Sequence, residues 1–184
     1  MSSSRREANE NAGTSLAERT RRATRSMGHE LQERRVALIS ELVSLHQRVA
    51  SMLKVIMLRE GQDALRSALG RQYAIDLHIA ERLLNEARSH GIQPGPIAQV
   101  EVTALLEEVR YADHHRSDPT ARPAALQRAL GAVRQHAIRC WSQLMDATNE
   151  NSLSRLKDEA LALQWMEADL YRSLAGLTPQ KAER

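Results

Sequence analysis

Four side chains in this sequence are of the right type and spacing to meet: His46, Asp76, His136 and Glu167. Each lies near the midpoint of a different long segment of helical periodicity. Counted from the breaks that pair these segments, His46 and Asp76 stand about 14 and 16 residues away, and His136 and Glu167 about 13 and 17, which places all four within ~6 Å along a common axis. His46 falls in the series Leu42, His46, Val49, Leu53, and Glu167 in Leu163, Glu167, Leu170, Leu174. Two imidazoles and two carboxylates suit zinc, manganese or a single non-haem iron. The same set also fits a buried polar layer satisfied by Arg134, Gln72 or water, or four flanking residues that never meet. Spacing alone admits all three.

Other chemistries find less support. The chain has no Gly-rich phosphate loop, no Gly-x-Ser-x-Gly elbow, no cysteine pair and no His-Glu-x-x-His. Cys140 sits on an apolar face one turn after His136, where it reads as a small core residue. Asp113-His114-His115 falls in a breaker-rich stretch and reads as surface polarity. His78 and Glu81 read as a surface pair at i, i+3.

The elements that must position these residues are helices. Gly and Pro together number 13, Phe is absent, and Ala, Leu, Arg and Glu dominate, as in an all-helical protein with an aliphatic core. Leu38, Leu42, Leu45, Val49, Met52 and Ile56 repeat at alternating four- and three-residue steps on one helix face. Leu65, Ala68, Leu69, Ile75, Ile79, Leu83 and Ala87 do the same, up to a stop at His90-Gly91 with Pro94 beyond. The break at Arg59 to Gln62 is short enough to fold the two arms back antiparallel, each ~42 Å long. A short helix is expected from Ile97 to Tyr111, with Ile97, Val100, Leu105 and Val109 buried. A second hairpin follows. Its first arm has Pro123 in the first turn and carries Leu126, Leu130, Val133, Ala137, Cys140 and Leu144. Its second arm carries Leu153, Leu156, Ala160, Leu163, Leu170 and Leu174 and ends before Gly176.

These segments predict an all-α fold: a four-helix bundle of two long antiparallel hairpins, joined by a long crossover that holds a short helix, with a basic N-terminal arm. The expected divisions are a flexible, partly helical arm over 1–28, the bundle over 29–178 and a tail over 179–184. Residues 1–13 lack periodicity, and Ser15 to Glu18 reads as a capping box for a helix starting near Leu16. The arm holds Arg5, Arg6, Arg19, Arg21, Arg22 and Arg25 against Glu7, Glu10 and Glu18, which accounts for the net charge of +3. Arg19, Arg21, Arg22 and Arg25 would meet the phosphates of a nucleic acid, but interleaved acids and the lack of an aromatic to stack on bases weigh against that partner.

The run from Ala129 to Ala175, ALGAVRQHAIRCWSQLMDATNENSLSRLKDEALALQWMEADLYRSLA, together with Leu42 to Gly91, resembles the YciE/YciF-type stress proteins of the ferritin-like superfamily. The resemblance implies ferritin-like connectivity and a carboxylate-rich metal centre built from glutamates and Glu-x-x-His pairs. This sequence contains no Glu-x-x-His, and has Arg134, Gln135, Leu163 and Gln164 where the resemblance would place ligands of the second hairpin. The expected protein is therefore a non-catalytic or weakly metal-binding stress-related bundle. The stripes of the first helix cover more than one bundle interior needs, so a homodimer is expected. The alternatives are an iron- or peroxide-handling metalloprotein of the same fold, or a helical adaptor for a protein partner or nucleic acid. No apolar run approaches a membrane span, and the single Cys140 predicts a reducing, cytoplasmic setting.

Overall fold

The computed structural model describes residues 4–95, 100–114, 121–148 and 150–174, with side chains at 18, 21–95, 100–114, 121–148 and 150–165. All five elements among them are helices: α1 (Ser4–Leu58), α2 (Asp63–Ser89), α3 (Val100–His114), α4 (Ala121–Asp146) and α5 (Asn151–Leu174). None is long and apolar enough to cross a membrane.

The first turn forms where the sequence breaks. Arg59 and Glu60 close it by donating to the Ile56 and Met57 carbonyls at 3.1 Å each. The Glu60 carboxylate then accepts the Gln62 amide at 2.9 Å, satisfying a donor at the start of α2. At the other end of α2, Gly91 takes φ +67°. Gly91 and Ile92 donate to the Arg88 and Ala87 carbonyls at 3.0 and 2.8 Å, and Ile92 is buried. This is the paired-bond stop that a left-handed residue after a helix permits.

α1 packs on α2 and α4, α5 packs on α2 and α4, and α3 lies against α1 and α4. The core is aliphatic around one fully buried Trp141. Two charged clusters mark opposite ends of the hairpins. At one end Arg122, in the first turn of α4, bonds Glu60 in the α1–α2 turn and, at 2.6 Å, Asp113 near the end of α3; all three are buried. At the other, Arg35 reaches Glu150 at 2.6 Å beside the start of α5, and His90 meets the same carboxylate at 2.9 Å.

Several expectations change. α1 starts at Ser4, upstream of the capping box at Ser15, and runs without interruption through residue 28 into the core. No proline occurs in that stretch to stop it. α3 begins at Val100 and buries Val102, Leu106, Val109, Ala112 and Asp113, whereas Val100 is exposed and Leu105 only half-buried. A short helix takes its rotation from the surfaces it covers. On α2, Gln72 and Asp76 occupy the inner stripe and Ile75 is half-buried. On α5, Gln164 is buried and Leu163 half-buried. Ile97, His115 and the tail over 179–184 lie outside the described residues.

Candidate functional site

His46 and Asp76 meet. His46 Nδ1 lies 2.7 Å from Asp76 Oδ1, and both side chains are buried at the α1–α2 contact. The other Asp76 oxygen accepts the Gln72 amide at 2.8 Å. Carboxylate acceptance fixes the proton on His46 Nδ1. His46 Nε2, Gln72 Oε1 and Gln164 Oε1 are buried without a protein hydrogen-bond partner. Gln72, Asp76, Arg134 and Gln164 line, with three aliphatic side chains, a cavity of about 10 Å³, which is room for one water and no larger ligand. Beyond it, Arg134 lies over the half-exposed ring of Trp165 at 6.0 Å.

His136 belongs to a different cluster. Its Nε2 lies 2.8 Å from Glu41 Oε1 and 3.5 Å from Cys140 Sγ, and its Nδ1 lies 3.0 Å from Glu101 Oε1. Arg139 donates to that Glu101 oxygen at 2.7 Å. The residues come from three helices: Glu41 from α1, Glu101 from α3, and His136, Arg139 and Cys140 from α4. His136 and Cys140 are buried, Glu41 is half-buried and Glu101 is exposed. The hydrogen bond from His136 holds the Glu101 carboxyl below its ordinary range. Burial, reinforced by the negative charge of Glu41, pushes the Cys140 thiol up to about 12. A thiol so placed is protonated at neutral pH and is a poor nucleophile.

Of the four residues singled out by spacing, the structure thus joins His46 to Asp76 and gives His136 other partners. The Glu167 side chain lies outside the described residues. Glu41 and Glu101 were not among the expected residues. The one sequence signal for their site is the His136–Cys140 pair one helical turn apart.

The remaining polar candidates have structural partners. His78 turns to Glu159 on α5 at 3.0 Å, not to Glu81. Asp113 is buried against Arg122, and His114 Nδ1 sits 2.6 Å from the Arg110 carbonyl. Glu86, His90 and Glu150 also converge, but Arg35 already neutralises Glu150. A hydrogen bond from Ser152, ahead of the one from His90, lowers the Glu86 pKa. Arg21, Arg22 and Arg25 are exposed on α1, and the side chain of Arg19 lies outside the described residues. An open cleft of about 580 Å³ between α1 and α3 exposes Arg48, Arg59 and Arg110 over Met52, Val55 and Ile56. Arg48 there bonds Thr103, and Arg110 bonds Glu107.

No family model, no curated protein and no solved structure matches the chain.

Proposed function

We propose that this chain is a non-catalytic helical-bundle protein of ferritin-like connectivity that works by assembly, pairing with a second copy through the exposed half of α1. The observation that carries the reading is that every residue from Arg21 to Arg34 is exposed. That stretch spans about four helical turns with water on every face, and an isolated helix of such length is marginal in water. It lacks the covering surface that α2 and α4 supply farther along.

The spacing of its apolar residues supports a matching helix as the cover. Ala23, Met27 and Leu31 continue, at four-residue steps, toward the buried Leu38, Leu42 and Leu45, and Met27 and Leu31 are exposed. Residues at four-residue steps share one face of a helix, so Ala23, Met27 and Leu31 present a single apolar strip to a partner.

The connectivity reading rests on helix neighbours. α1 and α5 each touch both α2 and α4, while α3 lies outside against α1 and α4 and carries the chain from the end of α2 back to the α1–α2 turn, where Arg122 starts α4. The bundle interior supports a non-catalytic reading because His46, Asp76 and Gln72 bond one another beside a cavity with space for a single water. A substrate has no volume there.

The seam is tested by the double substitution Met27→Glu, Leu31→Glu. It introduces four like charges across a two-fold seam and touches nothing in the core, so the expected result is a monomer whose bundle stays folded while the exposed turns of α1, left without a cover, lose helical content. A variant that keeps the oligomeric state of the unaltered chain refutes pairing through this surface.

A further inference from the structure

We infer that Glu41, His136 and Cys140 form a mononuclear binding site for a borderline-soft divalent cation of the zinc type, with Glu101 orienting the histidine from behind. This inference does not depend on how α1 associates. One ligand atom from each of the three residues falls within 4.8 Å of the other two. A tetrahedral zinc ion with bonds of ~2.0–2.1 Å to nitrogen and oxygen and ~2.3 Å to sulfur sets its ligands ~3.6 Å apart for N and S and ~3.3 Å apart for N and O. The His136 Nε2 to Cys140 Sγ distance of 3.5 Å already matches. The Nε2 to Glu41 Oε1 distance of 2.8 Å is that of a hydrogen bond and must open by about half an ångström, within reach of a half-buried glutamate.

The surroundings do what a metal-bound histidine requires. Glu101 holds His136 Nδ1 at 3.0 Å, on the far side of the ring from Cys140, and Arg139 anchors Glu101 at 2.7 Å. A carboxylate on the second ring nitrogen fixes the tautomer that leaves Nε2 free for the ion and raises its basicity. The charges also balance: a divalent cation meets the Glu41 carboxylate and a Cys140 thiolate, while Glu101 is offset by Arg139. Binding releases the thiol proton of Cys140 and, where Nε2 carries one, the proton His136 shares with Glu41, so affinity rises with pH. Three protein ligands leave the fourth position of a tetrahedral ion to water.

By contrast, the cluster of Glu86, His90 and Glu150 offers no sulfur, and the Arg35 guanidinium occupies the place of a cation there. A metal that reports thiolate ligation therefore distinguishes the two. The full-length reduced protein is titrated with cobalt(II), followed by displacement with zinc(II). The expected result is one equivalent of cobalt with a thiolate-to-metal charge-transfer band and tetrahedral visible bands, all removed by zinc. Cys140→Ser abolishes the charge-transfer band, and His136→Ala lowers affinity at least tenfold. Glu101→Gln lowers affinity about 10- to 100-fold and leaves the band in place, as befits a positioning residue. Helical content and melting temperature of each metal-free variant are measured alongside. Should a variant fail to fold, protection of Cys140 from alkylation by one equivalent of zinc in the unaltered protein gives the same answer. Cobalt binding that is undiminished in Cys140→Ser, or a thiol that zinc leaves unprotected, overturns the inference.

Discussion

Replacing Arg122 by Met should be among the most damaging single changes outside the aliphatic core. Arg122 is 6% exposed, and its two partners, Glu60 and Asp113, are 4% and 9% exposed. The substitution roughly keeps the volume of the stem and removes the guanidinium that bonds both carboxylates. Breaking a buried ion pair by deleting one partner costs about 3–5 kcal/mol, most of it the burden of the charge left behind. In a chain of this size, about 2–4 °C of melting temperature corresponds to each kcal/mol, so the expected fall is about 6–20 °C. Urea unfolding should show the same loss with an unchanged slope, since the surface exposed on unfolding is unaltered. Adding Glu60→Gln and Asp113→Asn to Arg122→Met should recover part of the loss by removing the carboxylate charge that Arg122 balances. The Glu60 backbone carbonyl, which accepts the Arg66 side chain, keeps its role in the turn throughout. A loss below about 1 kcal/mol would place the trio with exposed ion pairs and refute the argument from burial.

Asp76→Ala strips the acceptor from both His46 and Gln72, and should cost roughly 3 kcal/mol in urea unfolding; a cost near zero means that the layer does not hold the hairpin together. Gly91→Ala should lower stability by about 1–2 kcal/mol from the left-handed backbone alone, because a Cβ there meets nothing within 4 Å, and an unchanged melting curve would contradict the assigned helix stop. In the metal-free protein Cys140 should react with a thiol reagent at pH 8 far more slowly than a free thiol does, and fast labelling counts against burial. The raised thiol pKa adds stability that is complete below the ordinary value of 9 and fades as pH climbs toward about 12, which pH-dependent unfolding of Cys140→Ser, lacking that fade, would isolate.

Much of the helix plan was legible because its punctuation is local. The break at Arg59 to Gln62, the Gly91 stop and Pro123 in the first turn of α4 each follow from backbone preferences of a few residues. A buried polar layer with His46, Asp76 and Gln72 is among the readings that spacing admits, but the apolar count also puts Ile75 on the inner stripe of α2, where it is only half-buried beside the polar pair that His46 partners. Glu41 and Glu101 look like ordinary solvated charges along their own helices. Their convergence on His136 depends on how α1, α3 and α4 are rotated against one another, and no single-helix periodicity encodes that. Of the layer expected from residue counts, His46 meets Asp76 while His136 bonds Glu41 and Glu101, and the Glu167 side chain lies outside the described residues; distance from a turn sets height along an axis but not which partners a side chain meets.

Whether the chain pairs through α1 is decided by sedimentation equilibrium of the unaltered protein at micromolar concentration. With a chain mass of 20.7 kDa, the expected species has twice that mass, and the Met27→Glu, Leu31→Glu double substitution returns it to a single chain. A sharp 20.7 kDa monomer across the concentration range would contradict it and leave the exposed turns of α1 without the partner that the proposal assigns them.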